Sequence, residues 1–289
     1  MSYVIVSDSA GNLPDEIIEK YNIEIVSLSY TMGGVERKAY IKGVKSDLKE
    51  FYEKLRNKED SKTSLVPPEE FEKIFENIAK EGKDILYLGF TSGLSGTYQS
   101  SVIAADLVRE KYPDVRIVTV DTLCASIGEG LIVYYAALMK EEGKSIDEIV
   151  SWIEENRLKL CHWFTVDDLF FLKRGGRVST TTAIAGTVLG IKPILKVDND
   201  GKLATVGKVR GRKQAINHLV EQFEKNVVDA DNQIIGVVHG DCQDDADYLI
   251  SEIKKRCKAK TYVCNYLDYV IGSHAGPGTL ALFFLGEER

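Results

Sequence analysis

The sequence predicts an α/β protein of two domains: an N-terminal α/β domain over residues 1–160 with a mainly parallel sheet, and a C-terminal α+β domain over 161–289 with a mixed or antiparallel sheet. Three observations carry this reading. In the first half, apolar runs alternate with amphipathic helical segments, the pattern of a parallel sheet flanked by helices. Past residue 160, Asn199-Asp200-Gly201 separates the apolar runs Ile191 to Val197 and Leu203 to Val209, a hairpin signal that implies antiparallel pairing. The chain has 289 residues, 44% hydrophobic and 28% charged, which suits one large or two ordinary globular domains.

Tyr3 to Val6 reads as a short buried strand, after which Pro14 with Asp15 and Glu16 opens a helix, because proline's fixed φ suits the first turn and acids complement the helix dipole. Tyr30-Thr31-Met32-Gly33-Gly34-Val35 reads as a hairpin turn, a small β excursion from the α/β series. Leu48, Phe51, Tyr52 and Leu55 follow helical spacing, as do Phe71, Ile74, Phe75 and Ile78 behind Pro67-Pro68. Ile85 to Phe90 and Arg116 to Val120 are expected strands. Each ends in a polar loop before a helix, Thr91 to Gly96 and Asp121 to Ser126, and ligands of open α/β sheets sit at such strand ends. Ser145-Ile146-Asp147-Glu148 is a capping box before a helix with Ile146, Ile149, Val150 and Ile153 on its apolar face. In the second half we expect a short helix from Asp167 to Leu172 and another starting at Ser179. The hairpin follows, then a helix from about Lys213, a strand Ile234 to His239, a helix Asp244 to Arg256, and strands Thr261 to Tyr266 and Leu280 to Leu285.

The N-terminus lacks the basic region and extended apolar core of a signal peptide, and no run approaches transmembrane length. The five cysteines are odd in number and scattered, without a C-x-x-C pair or metal-ligand spacing, so a reducing cytoplasm and no metal or cofactor are expected. The net charge of −7 is unevenly spread: residues 173–213 carry +8, leaving −15 for the remainder. Such a basic island suits a phosphate, an acidic protein surface or transient membrane-surface contact, or is simply a solvated face. The acidic pI of 5.3 and the absence of aromatics in the island argue against nucleic acid.

The loop Phe90-Thr91-Ser92-Gly93-Leu94-Ser95-Gly96-Thr97-Tyr98 reads as an anion cradle for a carboxylate or phosphate. Gly93 and Gly96 let the backbone bend, Ser92, Ser95 and Thr97 add hydroxyls, and a helix dipole follows. An ordinary tight turn with an N-cap fits the same residues. Gly93-Leu94-Ser95-Gly96 lacks the spacer residue of a hydrolase G-x-S-x-G elbow, and no lysine follows Gly96 as in a Walker loop. Lys62-Thr63-Ser64-Leu65-Val66-Pro67-Pro68 is a second hydroxyl-bearing loop, and Ser7-Asp8-Ser9 a third. His274, in Gly272-Ser273-His274-Ala275-Gly276-Pro277-Gly278, is expected in a glycine-rich loop within reach of a ligand. Arg174 and Arg177 in Lys173-Arg174-Gly175-Gly176-Arg177, with Arg210 and Arg212 in Arg210-Gly211-Arg212-Lys213, could grip a phosphate or dock a partner.

Taken in order, these blocks resemble the DegV family of bacterial fatty-acid-binding proteins, which includes the FakB subunits of fatty acid kinase. The segments are Ser7 to Pro14, Thr91 to Ser101, Phe164 to Ser179, Leu189 to Leu195, Lys208 to Ala215 and Ile271 to Gly286, so the resemblance covers essentially the whole chain. It implies a non-catalytic carrier that holds a long-chain fatty acid in an apolar tunnel between the domains. Thr63 and Ser95 would bind the carboxylate, with Ser92, Thr97 and His274 in support, and Ala183 to Leu195 and Leu280 to Leu285 would wall the tunnel. The family commonly shows Thr-Ser-Gln-Pro-Ser where this chain has Thr63-Ser64-Leu65-Val66-Pro67, so Thr63 is kept and two neighbouring polar groups are not. The resemblance further implies a separate ATP-dependent fatty acid kinase subunit as partner, which forms an acyl phosphate for lipid metabolism and docks on Arg174, Arg177, Arg210 and Arg212. The alternative is an acyl hydrolase or transferase with Ser95 as nucleophile and His274 as base.

Overall fold

The computed structural model describes residues 2–178 and 190–289. A four-stranded parallel sheet in the order β2-β1-β6-β7 is formed by β1 (Tyr3–Asp8), β2 (Glu24–Val26), β6 (Asp84–Gly89) and β7 (Ile117–Asp121). All six residues of β6 are buried because helices cover both faces of the sheet. On one face lies the expected helix behind Pro67-Pro68, Pro68–Lys80, whose Phe71 and Phe75 stack their edges around the buried ring of Tyr87. Burying each phenyl ring contributes about 2 kcal/mol. The capping box forms as read: the Ser145 hydroxyl accepts from the Glu148 amide, and the Glu148 carboxylate accepts from the Ser145 amide, at the head of the helix Ile146–Asn156.

The β excursion is a three-stranded antiparallel sheet, β4-β3-β5, of β3 (Ser29–Met32), β4 (Val35–Lys38) and β5 (Ser61–Ser64). Met32 pairs Val35 across Gly33-Gly34, whose φ values of +60° and +74° make the mirror-image turn that only glycine adopts freely. The sequence reading is corrected here: Lys62 to Ser64 belongs to a strand rather than a loop. Its partner is β3, roughly thirty residues upstream, so nothing local in the sequence signals it.

The second half builds a six-stranded mixed sheet in the order β10-β9-β8-β13-β11-β12, antiparallel except for the pair β11–β12. Its strands are β8 (Leu160–Thr165), β9 (Ile191–Val197), β10 (Leu203–Arg210), β11 (Ile234–His239), β12 (Thr261–Tyr266) and β13 (Leu280–Leu285). The hairpin at Asn199-Asp200-Gly201 forms as expected. Helices Arg212–Asn226 and Gln243–Lys254 cover one face. The short helix expected at Asp167 begins instead at Phe170 and runs to Arg174, behind a turn in which the Asp168 carboxylate accepts from the Phe170 amide. The helix expected at Ser179 and residues 183–189 of the proposed tunnel wall lie outside the described residues.

Candidate functional site

The strand ends of the parallel sheet, the small sheet and the inner face of the six-stranded sheet converge on a cavity of about 230 Å³. Most of its wall is apolar, from Leu28 and Phe90 on one side and Phe164, Val197, Leu203 and Phe283 on the other. Thr63, Ser95, Arg177 and His274 supply a polar end. Alternation along β5 explains how Thr63 reaches it. Ser61 and Thr63 share one face of the strand, and that face lies on the helix Tyr269–Ala275. Ser61 Oγ lies 2.6 Å from Ser273 Oγ, and Thr63 Oγ1 lies 2.7 Å from His274 Nε2.

His274 is therefore not in a loop, as its glycine-rich surroundings suggested, but in the last turn of that helix. The Asp268 carboxylate caps the helix at the Ile271 amide, and Gly276, at φ +79°, ends it just after the histidine. Burial above all, with the nearby Arg177 and Arg174 guanidiniums, brings the His274 imidazole down to about 4. The ring is thus neutral at pH 7. Its Nδ1 has no partner among the described residues and sits against Gly175, where a Cβ would lie 2.0 Å from it. Gly175 is thus a glycine because the histidine occupies the space.

Ser95 stands in the loop after β6, where its hydroxyl lies 2.9 Å from Thr97 Oγ1 and accepts from the Thr97 amide at 3.2 Å. Thr97 is fully buried and outside the lining; its hydroxyl meets that of Ser95 and accepts from the Val66 amide. Ser92 is exposed and outside the lining; its amide donates to Asp121, which orients the loop. Asp8, the centre of the third hydroxyl-bearing segment, is buried and holds the strand ends together, accepting from the Tyr87 hydroxyl and the Phe90 and Ala10 amides. At another part of the lining, His162 accepts from the Ala125 amide at Nε2, and its ring is why position 128 is glycine: a Cβ there would lie 2.2 Å from Nε2.

The four arginines of the basic island separate. Arg177 lines the cavity and is half-buried, donating to the Leu94 carbonyl through Nε and Nη2 at 3.2 Å each, and burial lowers its basicity. Sequence reasoning assigned it to a surface; only the fold of the chain after Gly176 turns it inward. Arg174 pairs with Asp60, and Arg212 with Asp245 and Asp167. Arg210, at the end of an edge strand, is exposed. Among the described residues, no group of three His, Cys, Asp or Glu side chains converges to hold a metal ion, and no helix is long and apolar enough to cross a membrane.

Such an arrangement offers an oily chamber with neutral hydroxyl and imidazole groups plus one guanidinium at one end, suited to an amphiphile with an anionic head. The chain is 47% identical over 289 residues to the DegV domain-containing protein CPE0026 of Clostridium perfringens, covering 99% of this chain and 98% of that one. Its fold matches a DegV family protein of Thermus thermophilus described as binding fatty acid, with a TM-score of 0.89 at 28% identity, covering 99% of this chain and 100% of the other. It also matches a stearic acid-binding protein of Eubacterium ventriosum, with a TM-score of 0.87 at 27% identity over 98% of both chains. A family model described as "Uncharacterised protein, DegV family" matches residues 2–287, and the chain belongs to the DegV family.

Proposed function

We propose that this protein is a non-catalytic carrier that binds a long-chain fatty acid in the cavity, its carboxylate held by Thr63 and Ser95, with His274 and Arg177 beside them. The observation that carries the reading is one cavity whose mostly apolar wall also carries Thr63, Ser95, Arg177 and His274, with Thr63 and His274 in hydrogen-bond contact. Burying the acyl chain contributes about 0.8 kcal/mol per methylene, and hydrogen bonds to the carboxylate orient the head. The solved relatives described as fatty-acid-binding support the same ligand class.

The hydrolase alternative is disfavoured by the partners of its would-be nucleophile. Ser95 Oγ is paired with Thr97, and His274 Nε2 with Thr63, so among the described residues no base stands on the Ser95 hydroxyl. In the carrier reading the cytoplasmic protein presents the carboxylate to a separate ATP-dependent kinase subunit and carries the acyl phosphate onward. Exposed Arg210, at the edge of the basic island, supports a docking role for that surface.

Native mass spectrometry of the purified protein tests the ligand. A fatty-acid-sized adduct, or its appearance on incubation with oleate or palmitate, is the expected outcome. A bare mass that stays unchanged after incubation refutes the reading.

A further inference from the structure

The loop that carries Ser95 is held from across the cavity. The tip of the β9–β10 hairpin, Asp198 to Lys202, packs directly on it: Thr91 Oγ1 donates to the Gly201 carbonyl at 3.1 Å and accepts from the Gly93 amide at 3.1 Å. The fit leaves no slack. A Cβ on Gly93 would lie 2.6 Å from the Asp200 carbonyl oxygen and 2.8 Å from that of Gly201, and a Cβ on Gly201 would lie 2.0 Å from Thr91 Oγ1. Gly201 sits at φ +72°, so the tip favours glycine on conformational grounds as well. The tip is itself braced. The Asp198 carboxylate accepts from the Asp200 and Lys202 amides at 3.0 and 2.9 Å, and the Asp198 carbonyl accepts from the Arg289 guanidinium at 2.9 Å.

On the other side of the contact, the Thr91 carbonyl accepts from the Leu94 and Ser95 amides, and the Thr91 amide donates to the Cys124 carbonyl. Thr91 is fully buried yet does not line the cavity. Val197 and Leu203, which flank the tip on the two strands, do line it. One rigid hairpin thus touches the chamber wall with its stems and the head-group loop with its tip.

We propose that Thr91, clamped on the hairpin tip, is a positioning residue for the anionic head: it fixes the loop so that Ser95 meets a carboxylate without contacting the ligand itself. This rests on the fatty-acid reading above. A positioning role differs from a merely structural one in what it discriminates. Loss of packing weakens every ligand of the chamber, whereas loss of loop placement weakens only those with a carboxylate.

The test compares the affinities of palmitate and of 1-hexadecanol, which shares the chain and lacks the carboxylate, for the wild type, Thr91→Val and Thr91→Ser. Removing the hydroxyl leaves the Gly201 carbonyl and Gly93 amide unpaired, so Thr91→Val is expected to weaken palmitate about tenfold and the alcohol less than about twofold. Thr91→Ser, which restores the hydroxyl, returns palmitate to within about threefold of the wild type. Equal losses for both ligands, or none for either, overturn the positioning role while leaving the fatty-acid reading intact. A wild type that binds neither ligand overturns both. Should Thr91→Val fail to fold, Asp198→Ala loosens the tip from outside the loop and is read in the same way: a selective loss of palmitate supports the clamp, and an unselective or absent loss refutes it.

Discussion

His274 makes the stability of the ligand-free protein fall with acidification, by an amount the site itself sets. Burial first, and then Arg177 and Arg174, bring its imidazole to about 4 in the folded chain, against an ordinary 6.5. Between those two values the unfolded chain binds more protons than the folded one, so stability rises with pH across that window. The contribution is fully present above about pH 6.5, falls as the solution is acidified through it, and stops falling below about pH 4. At about 1.36 kcal/mol per pH unit the whole window is worth about 3 kcal/mol, of which about 2 kcal/mol is lost between pH 7 and pH 5. Other groups titrate there too. His162 and His239 are also lowered by burial and act in the same direction, while Asp268, raised to about 6 by burial, acts in the opposite one. The assay is therefore a difference: urea unfolding of wild type and His274→Gln from pH 7.5 to pH 4.5. Wild type should lose about 2 kcal/mol more than the variant on going from pH 7 to pH 5. Parallel curves, agreeing within about 0.5 kcal/mol, would refute the claim that the neutral ring is held by its surroundings.

Two further outcomes bear on the proposed function. Ser95→Ala should weaken palmitate by about 1.5–3 kcal/mol, the worth of a hydrogen bond to a charged group, in a titration by isothermal calorimetry. Short acyl esters should be turned over by neither protein; turnover by wild type that disappears in Ser95→Ala would instead establish the serine as a nucleophile. Arg210→Glu should slow acyl phosphate formation by a cognate kinase subunit while leaving fatty-acid affinity unchanged. Undiminished phosphorylation would remove Arg210 from the docking surface. Arg212 is a poorer choice, because its ion pairs with Asp245 and Asp167 make any loss ambiguous.

How much of the site was legible follows from how local its signals are. The capping box at Ser145, the glycine turns at Gly33 and Gly201, and the helix behind Pro67-Pro68 are decided within a few residues, and each formed where it was read. The loop after β6 was recognisable for the same reason, since its glycines and hydroxyls are adjacent in the chain. Three features were not. Thr63 looked like a loop residue because β5 has no apolar alternation of its own; pairing with β3 makes it a strand. His274 looked like a loop residue because glycines surround it; the Asp268 cap makes a helix there that runs through Gly272 and ends at Gly276. Arg177 looked like part of a charged surface, and burial against the Leu94 carbonyl makes it part of the chamber.

By itself, then, the sequence determined most of the elements, the two kinds of sheet, the family and the loop that carries Ser95, because periodicity, caps and turn residues act over one or two turns of chain. Only the tertiary structure decided which residues meet. The contact of Thr63 with His274 spans 211 residues of chain, and that of Thr91 with Gly201 spans 110. One joins a strand to a helix and the other a loop to a hairpin tip far along the chain, and no spacing within a single element encodes them.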